Sequence, residues 1–284
     1  MKKIVVFTGF LVIFALTIAA GTAYADTPEL YPKLNPDGTK PYIDYPIDDE
    51  TKAIITEKEK LVQLYLEAEE GKRSIAEVEK ALRAFQEKIG EEPDMTLTDS
   101  LKTNAAAKGI SLTHQTQSNY YYCGPATASM IIRARGVANT TQKQAAKKLG
   151  TTKSGTPWSL GKGKYPMKDT LNHFLKTKYY TPYGVNVNAS KFKHHVKYTI
   201  DNGRGVAANT WEVKDGPKLK GHPKNGEILH WVPISGYMKN GNSIQYADSS
   251  HKALGISWGK NVPKYSWIDY KKMATICDGR GIIW

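Results

Sequence analysis

Around Gly205 the hydrophobic pattern of this chain changes period, and that change leaves few architectures open. Ahead of it the apolar residues recur in steps of three and four. Ile54, Leu61, Leu64, Tyr65 and Ala68 share one helical face that Gly71 ends, and Ser74 with Glu77 forms a capping box for Ile75, Val78, Leu82, Phe85 and Ile89. The same spacing predicts helices over 126–135, over 141–150, from Met167 to Lys178 and from Ser190 to Asp201, while 91–116 reads as a polar connector. Beyond Gly205 the runs 205–213, 228–237, 243–247 and 281–284 are short and rich in β-formers, as strands are. Helices followed by strands predict an α+β fold with helices packed on an antiparallel sheet.

The two helices over 48–90 make an antiparallel hairpin whose apolar stripe must be buried against something else. Charge indicates what. Residues 26–100 carry 10 Lys and Arg against 19 Asp and Glu, a net of −9, whereas residues 101–284 carry 28 against 8, a net of +20. Opposite charge on this scale predicts intramolecular docking of an acidic N-terminal segment, as a propeptide or lid, on a basic domain. Anionic cell-wall polymer is a second candidate partner for the basic half, and nucleic acid is not expected. The extreme N-terminus, Met1-Lys2-Lys3 followed by an apolar run from Ile4 to Ala20 and by Ala23-Tyr24-Ala25, reads as a secretory signal peptide cut after Ala25. The expected organisation is thus signal peptide 1–25, acidic helical segment 26–100 and basic domain 101–284, secreted and with no transmembrane anchor after cleavage.

One stretch carries chemistry. In Gln117-Ser-Asn-Tyr-Tyr-Tyr-Cys123-Gly-Pro-Ala a tyrosine-rich loop delivers a cysteine to a helix start, with Pro125 suited to the first helical position. The partial positive charge of a helix N-terminus favours thiolate over thiol. A bridge between Cys123 and Cys277 remains open in an oxidising compartment, but Cys277 lies in an ordinary apolar stretch and reads as buried and inert. A cysteine nucleophile needs a base, an orienter for that base, and donors for the developing oxyanion. His230 opens a strand-forming run and Asp248 closes the next one, so they are the candidate base and orienter. His222, in a lysine-rich loop, is the weaker base candidate. The backbone N–H of Cys123 and the side chain of Gln117 are candidate oxyanion donors, with Gln115 competing. Trp231 and Tyr122, the neighbours of His230 and Cys123, are the expected substrate contacts. His194-His195 reads as a solvated basic face, and no cofactor or metal is expected.

The turn between the His230 and Asp248 strands tests the arrangement. A two-residue turn at Asn240-Gly241 would pair Pro233 with Asp248 and leave His230 and Asp248 on opposite faces. A three-residue loop, Lys239-Asn240-Gly241 with Gly241 left-handed, pairs Val232 with Asp248 and makes His230 a diagonal neighbour of Asp248 on one face, with a bulge at Pro233. The odd loop is the expectation.

The blocks Gln117-x5-Cys123-Gly-Pro-Ala, His230-Trp-Val-Pro-Ile-Ser-Gly-Tyr and Tyr246-Ala-Asp248-Ser, in that order, resemble the papain-like cysteine peptidases of the bacteriocin-leader-peptidase type, often called C-39-like. The resemblance covers roughly residues 110–284. It implies a papain-like fold with Cys123 as nucleophile, His230 as general base and acid, Asp248 as orienter and Gln117 in the oxyanion hole, acting on a peptide or protein substrate. A secreted thiol acyl-transferase on the same site, and a non-catalytic cell-wall-binding module, are the alternatives. Family members that trim leaders are cytoplasmic domains of transporters, so the physiological substrate is left open, and the acidic hairpin is no part of the family pattern.

Overall fold

A computed structural model describes residues 32–103 and 105–284; the expected signal peptide lies outside the described residues. The chain runs α1 (Asp49–Glu69), α2 (Ile75–Lys88), α3 (Thr96–Thr103), β1 (Lys108–Gly109), α4 (Cys123–Ala134), α5 (Gln142–Leu149), α6 (Pro166–Leu175), β2 (Pro182–Gly184), α7 (Ala189–Asp201), β3 (Val206–Glu212), β4 (Ile228–Met238), β5 (Ser243–Ala247), β6 (Tyr265–Asp269), α8 (Tyr270–Cys277) and β7 (Gly281–Ile283). Helices dominate the first two thirds and an antiparallel sheet the last, so the fold is α+β.

Local chemistry accounts for the helix ends. Asp48 caps α1 by accepting the Thr51 N–H at 2.7 Å, and the Ser74–Glu77 capping box opens α2. Thr141 and Gln144 form a second box at α5, which ends on left-handed Gly150. Two parts of the expected connector are ordered: α3 and β1. Neither shows in the sequence, because α3 has only two turns and β1 only two residues, too few to display a period. β2, β6 and α8 are likewise absent from the sequence reading. β6 alternates buried Ser266 and Ile268 with exposed Tyr265 and Trp267, but Ser266 breaks the apolar pattern.

The seven strands form one sheet in the order β2-β7-β3-β4-β5-β6, with β1 added beside the far end of β4. Every pairing is antiparallel. β4 is the central strand, and all seven residues of β3 beside it are buried. Helix α4 packs on β4, and α7 covers β3 and β4 while α1 crosses α7.

The β4–β5 connection corrects the sequence expectation in two compensating ways. Met238 pairs with Ser243, so the loop is four residues long, Lys239 to Asn242, with Lys239, Asn240 and Gly241 all left-handed. That loop alone imposes the register of the even turn. The register then shifts between Ile234 and Gly236, and Ile234 pairs with Tyr246. Continued by two residues, this register sets Val232 opposite Asp248. The bulge thus falls at Ser235 rather than Pro233. Its position follows from the neighbours of β4: β3 pairs with it up to Ile234, and β1 takes over at Gly236, with the Ile110 N–H donating to the Ser235 carbonyl at 2.8 Å. A strand that changes partner is where an extra residue is easily absorbed.

Candidate active site

Cys123 is the first residue of α4, and Pro125 stands two places further on rather than at the helix start. It is still within the first turn, where a missing N–H costs no helical hydrogen bond. The loop 151–165 closes over this helix start. Any β-carbon on Gly124 would lie 2.2 Å from Thr156 Oγ1, so only glycine admits the contact. Thr156 Oγ1 is held by Thr151 Oγ1 at 2.7 Å, and its carbonyl accepts Trp231 Nε1 at 3.0 Å. Trp231 in turn stacks on Trp158.

Cys123 and His230 line one cleft, close enough for the His230 ring to act on the sulfur. His230 Nε2 lies 3.0 Å from Asp248 Oδ1, which leaves Nδ1 as the nitrogen for the sulfur. The bulge-corrected register makes this contact possible, because His230 and Asp248 are diagonal neighbours on one face, at a backbone spacing of about 7–8 Å that the two side chains span. Asp248 Oδ1 also accepts the Ser250 N–H at 2.9 Å and the Ser250 hydroxyl at 2.6 Å. Its Oδ2 lies 2.9 Å from His222 Nε2, and His222 Nδ1 lies 2.7 Å from Glu212 Oε1. The side chains of Asp248, His222 and Glu212 are inaccessible to solvent.

Burial raises the Cys123 pKa, but the hydrogen bond and charge of His230, with backbone donors at Trp231 and Gly124, outweigh it and hold the thiol below its ordinary value. Burial disfavours the His230 imidazolium, yet Asp248 and then Cys123 bring its pKa well above the usual histidine value. Asp248 is kept well below the usual carboxylate range; its burial acts the other way and is overcome by His230 and His222. Each of these shifts runs in the direction that favours a thiolate beside an imidazolium. Cys277 is the opposite case, a free and buried thiol at the end of α8 whose pKa burial pushes up to about 12.

The small cleft at the sulfur is lined by Cys123, Ser154, Gly155, Thr156, Asn209, Leu229, His230, Trp231 and Arg280. Trp231, 2% exposed, is therefore a wall of the site. Tyr122 is half-buried against Tyr121 and is not among the lining residues. Gln117 is buried and fixed beside Asp248: its Oε1 accepts the Ser249 hydroxyl at 3.0 Å, and its Nε2 donates to the Asn119 carbonyl at 2.8 Å. Gln115 is engaged elsewhere, with Nε2 on Ser129 Oγ at 3.1 Å. Ser129 is six residues along α4, about 9 Å from the sulfur end of the axis.

Several contributors escaped the sequence reading. The glycine- and lysine-rich segment 151–164 has no hydrophobic period to mark it, yet Ser154 to Thr156 wall the cleft. Glu212, an acid ending the strand-forming run Val206–Glu212, was the available signal for a buried charged network, since every residue of that strand is buried. Among the described residues, His222, His230 and Asp248 are the group whose ligand atoms come within 4.8 Å of one another. Each close pair is a direct hydrogen bond and Glu212 completes the chain, so the cluster needs no ion to account for it.

His195 overturns the expectation of a solvated basic face. It is fully buried, stacks on Trp284 with ring centroids 3.7 Å apart, and lies 3.1 Å from Glu59. The reason is α1, which lies across α7 and covers that face. Acidic residues of the N-terminal segment meet basic ones here: Glu59 with Lys191 at 2.8 Å, Glu69 with Lys197 at 2.7 Å, Glu91 with Arg204 at 2.5 Å. None of these basic residues lines the cleft.

Compared with known proteins, residues 108–275 match the model of the Peptidase_C39 like family. The matched segment begins at β1 and ends inside α8, and so contains Cys123 together with the hydrogen-bonded His230, Asp248, His222 and Glu212. No curated protein matches the sequence.

Proposed function

The chain belongs to the Peptidase_C39 like family, a family of cysteine peptidases, and on that premise we propose that it cleaves amide bonds of a peptide or protein through a Cys123–His230–Asp248 triad on a papain-like helix-and-sheet scaffold. The observation that carries this reading is the Cys123 thiol at a helix start beside His230, whose ring lies 3.0 Å from Asp248 Oδ1. In the proposed reaction the thiolate attacks the carbonyl carbon, and the negative charge moves to the carbonyl oxygen. The Cys123 N–H and the second N–H of the Gln117 amide receive it. As the C–N bond breaks, His230 gives its proton to the leaving amine, and a thioester remains on Cys123. Water then adds while His230 takes its proton, and the acid leaves with the thiolate restored. Asp248 stays ionised throughout and fixes the ring. Ser154 to Thr156, with Trp231 and Leu229, would contact the substrate chain. Secretion belongs to the same reading, on the basic, apolar and Ala-x-Ala pattern of residues 1–25.

Labelling with an electrophilic peptide probe tests it. Cys123 should react, and His230→Ala should abolish the reaction. Labelling that survives His230→Ala, or that falls on Cys277, would sink the triad.

A further inference from the structure

The hydrogen-bonded chain does not stop at Asp248. His222 lies between two carboxylates, with Nε2 2.9 Å from Asp248 Oδ2 and Nδ1 2.7 Å from Glu212 Oε1. An ionised carboxylate only accepts hydrogen bonds, so a ring that serves one at each nitrogen must carry a proton on both. A neutral ring would turn a lone pair toward a carboxylate oxygen in a site closed to water. Asp248 is held ionised by further donors, Ser250 and His230, and Glu212 Oε2 accepts the Leu219 N–H at 3.2 Å.

The loop 213–227 is built to keep the ring there. Its backbone is tied down by Leu219 to Glu212 and by the Lys220 N–H to the Tyr246 hydroxyl at 2.8 Å. Gly221 has φ +87°, and a β-carbon on it would stand 2.3 Å from the Asn261 carbonyl, so the turn before His222 is pressed against the neighbouring segment. Trp258 covers the ring at 4.4 Å. The ionisable groups facing His222 are Glu212 from β3, His230 from β4, Tyr246 from β5 and Asp248 just beyond it, while Lys218, Lys220 and Lys224 belong to its own loop.

We propose that His222 is a positioning residue of this site: a permanent imidazolium clamped between Asp248 and Glu212, whose charge sets the pH range in which Cys123 and His230 exist as an ion pair. The proposal rests on the triad reading above and adds a function for a residue outside it. The charges then alternate along the chain, Cys123 negative, His230 positive, Asp248 negative, His222 positive, Glu212 negative. His222 competes with His230 for the field of Asp248. It keeps Asp248 ionised, yet it moderates how tightly His230 holds its proton, and His230 must release that proton to the leaving amine.

The sign of the consequence is fixed. Removing the His222 charge makes the surroundings of the ion pair more negative, so the thiolate forms at higher pH and the imidazolium persists to higher pH. With ring centroids 5.5 Å apart and an effective dielectric constant of about 20, the His230 transition should rise by about two pH units, and the Cys123 transition moves in the same direction.

The test is the rate of Cys123 alkylation by iodoacetamide as a function of pH, in the full chain, which requires no known substrate. The wild-type rate should climb in two steps, at ion-pair formation and at loss of the His230 proton. In His222→Gln both steps should move upward, the second by about one to two pH units. Steps that stay in place while only their heights change would overturn the proposal, since a packing role leaves the midpoints alone. A second measurement needs no variant: ring ¹⁵N spectra of the wild-type protein should show His222 protonated at both nitrogens across the plateau between the steps, and a single-tautomer neutral ring would overturn the proposal. Failure of the triad itself has a different signature, a His230→Ala profile that keeps both steps.

Discussion

At the scale of single residues, the two thiols of this chain are separated by environment alone. Cys123 has an imidazole and backbone donors acting on its sulfur, whereas burial dominates at Cys277 and, despite the Lys40 charge, holds its thiol at about 12. Alkylation at pH 7 followed by peptide mass spectrometry should therefore modify Cys123 and leave Cys277 untouched in the folded protein; equal modification of both would contradict the electrostatics. Asp248→Asn removes the charge that keeps His230 protonated, so the second step of the alkylation profile, loss of the His230 proton, should move to lower pH and turnover should fall by about 10²–10⁴-fold. Gly124 is a residue whose side chain is forbidden by a neighbour. Gly124→Ala drives a methyl into Thr156 and should destabilise the protein by about 1–3 kcal/mol, read as a lower midpoint in urea; an unchanged midpoint would mean that loop 151–165 moves freely. The Cys, His and Asp positions were legible in the sequence because each sits in a local block with its own composition. Gln117 was separable from Gln115 only in space, where Ser129 draws one away and Ser249 holds the other.

At the scale of elements, the site depends on where β4 absorbs one extra residue. The four-residue loop by itself would leave His230 and Asp248 on opposite faces, and the Ser235 bulge brings them back together. Deleting Ser235 should slip the His230 end of β4 by one place against β5, because strand side chains alternate with a period of two. Probe labelling of Cys123 should then drop to the level of His230→Ala, while far-ultraviolet circular dichroism stays close to wild type. Retained labelling would mean that another bulge compensates. Loop length and bulge position were both misread from the sequence, and their errors cancelled at the register that matters. The cause of the misreading is that β4 exchanges β3 for β1 at Ser235, and β1 is a two-residue strand 126 positions upstream of that point. The long helices were legible to within about three residues at each end because their caps are local. Elements as short as α3 and β1 have no period to read.

At the scale of the whole molecule, the acidic segment is joined to the rest through the interior as well as through surface charge. Lys58 of α1 is fully buried, with Nζ 3.0 Å from the Tyr179 carbonyl and 2.7 Å from the main-chain oxygen of Trp284, over the faces of both rings. Lys58→Met leaves the Tyr179 carbonyl without this donor, while the Trp284 oxygen keeps the Thr181 N–H at 3.0 Å, and should cost about 1–3 kcal/mol; a neutral effect on the unfolding midpoint would show that water or a side chain replaces it. Tyr65 donates to Asp201 at 2.6 Å, and Phe85 meets Tyr179 edge to face. A chain beginning after residue 90 should therefore lose cooperative unfolding rather than gain activity, as a simple lid would have predicted. Stability should also depend on pH through the same interface. Burial pulls the His195 pKa down to about 4 despite the hydrogen bond to Glu59, so the unfolded chain binds a proton that the folded one does not between about pH 6.5 and 4. The melting temperature should fall as pH drops through that window, and His195→Gln should flatten the fall even if it lowers the melting temperature throughout.

What the sequence determined by itself is whatever is encoded within a few residues: the capped helices, the strand runs, the order of helices before strands, and the chemical identity of the cysteine, histidine and aspartate blocks. What tertiary structure decided is which of these meet. The even loop becomes an odd register through a distant strand, His195 is sealed by a helix 136 residues away from it in sequence at Glu59, and His222 becomes the far partner of Asp248 because Glu212 and Gly221 hold its loop down. Local patterns record the cost of each conformation to its own neighbours, whereas long-range contacts depend on shapes that exist only once the sheet has formed.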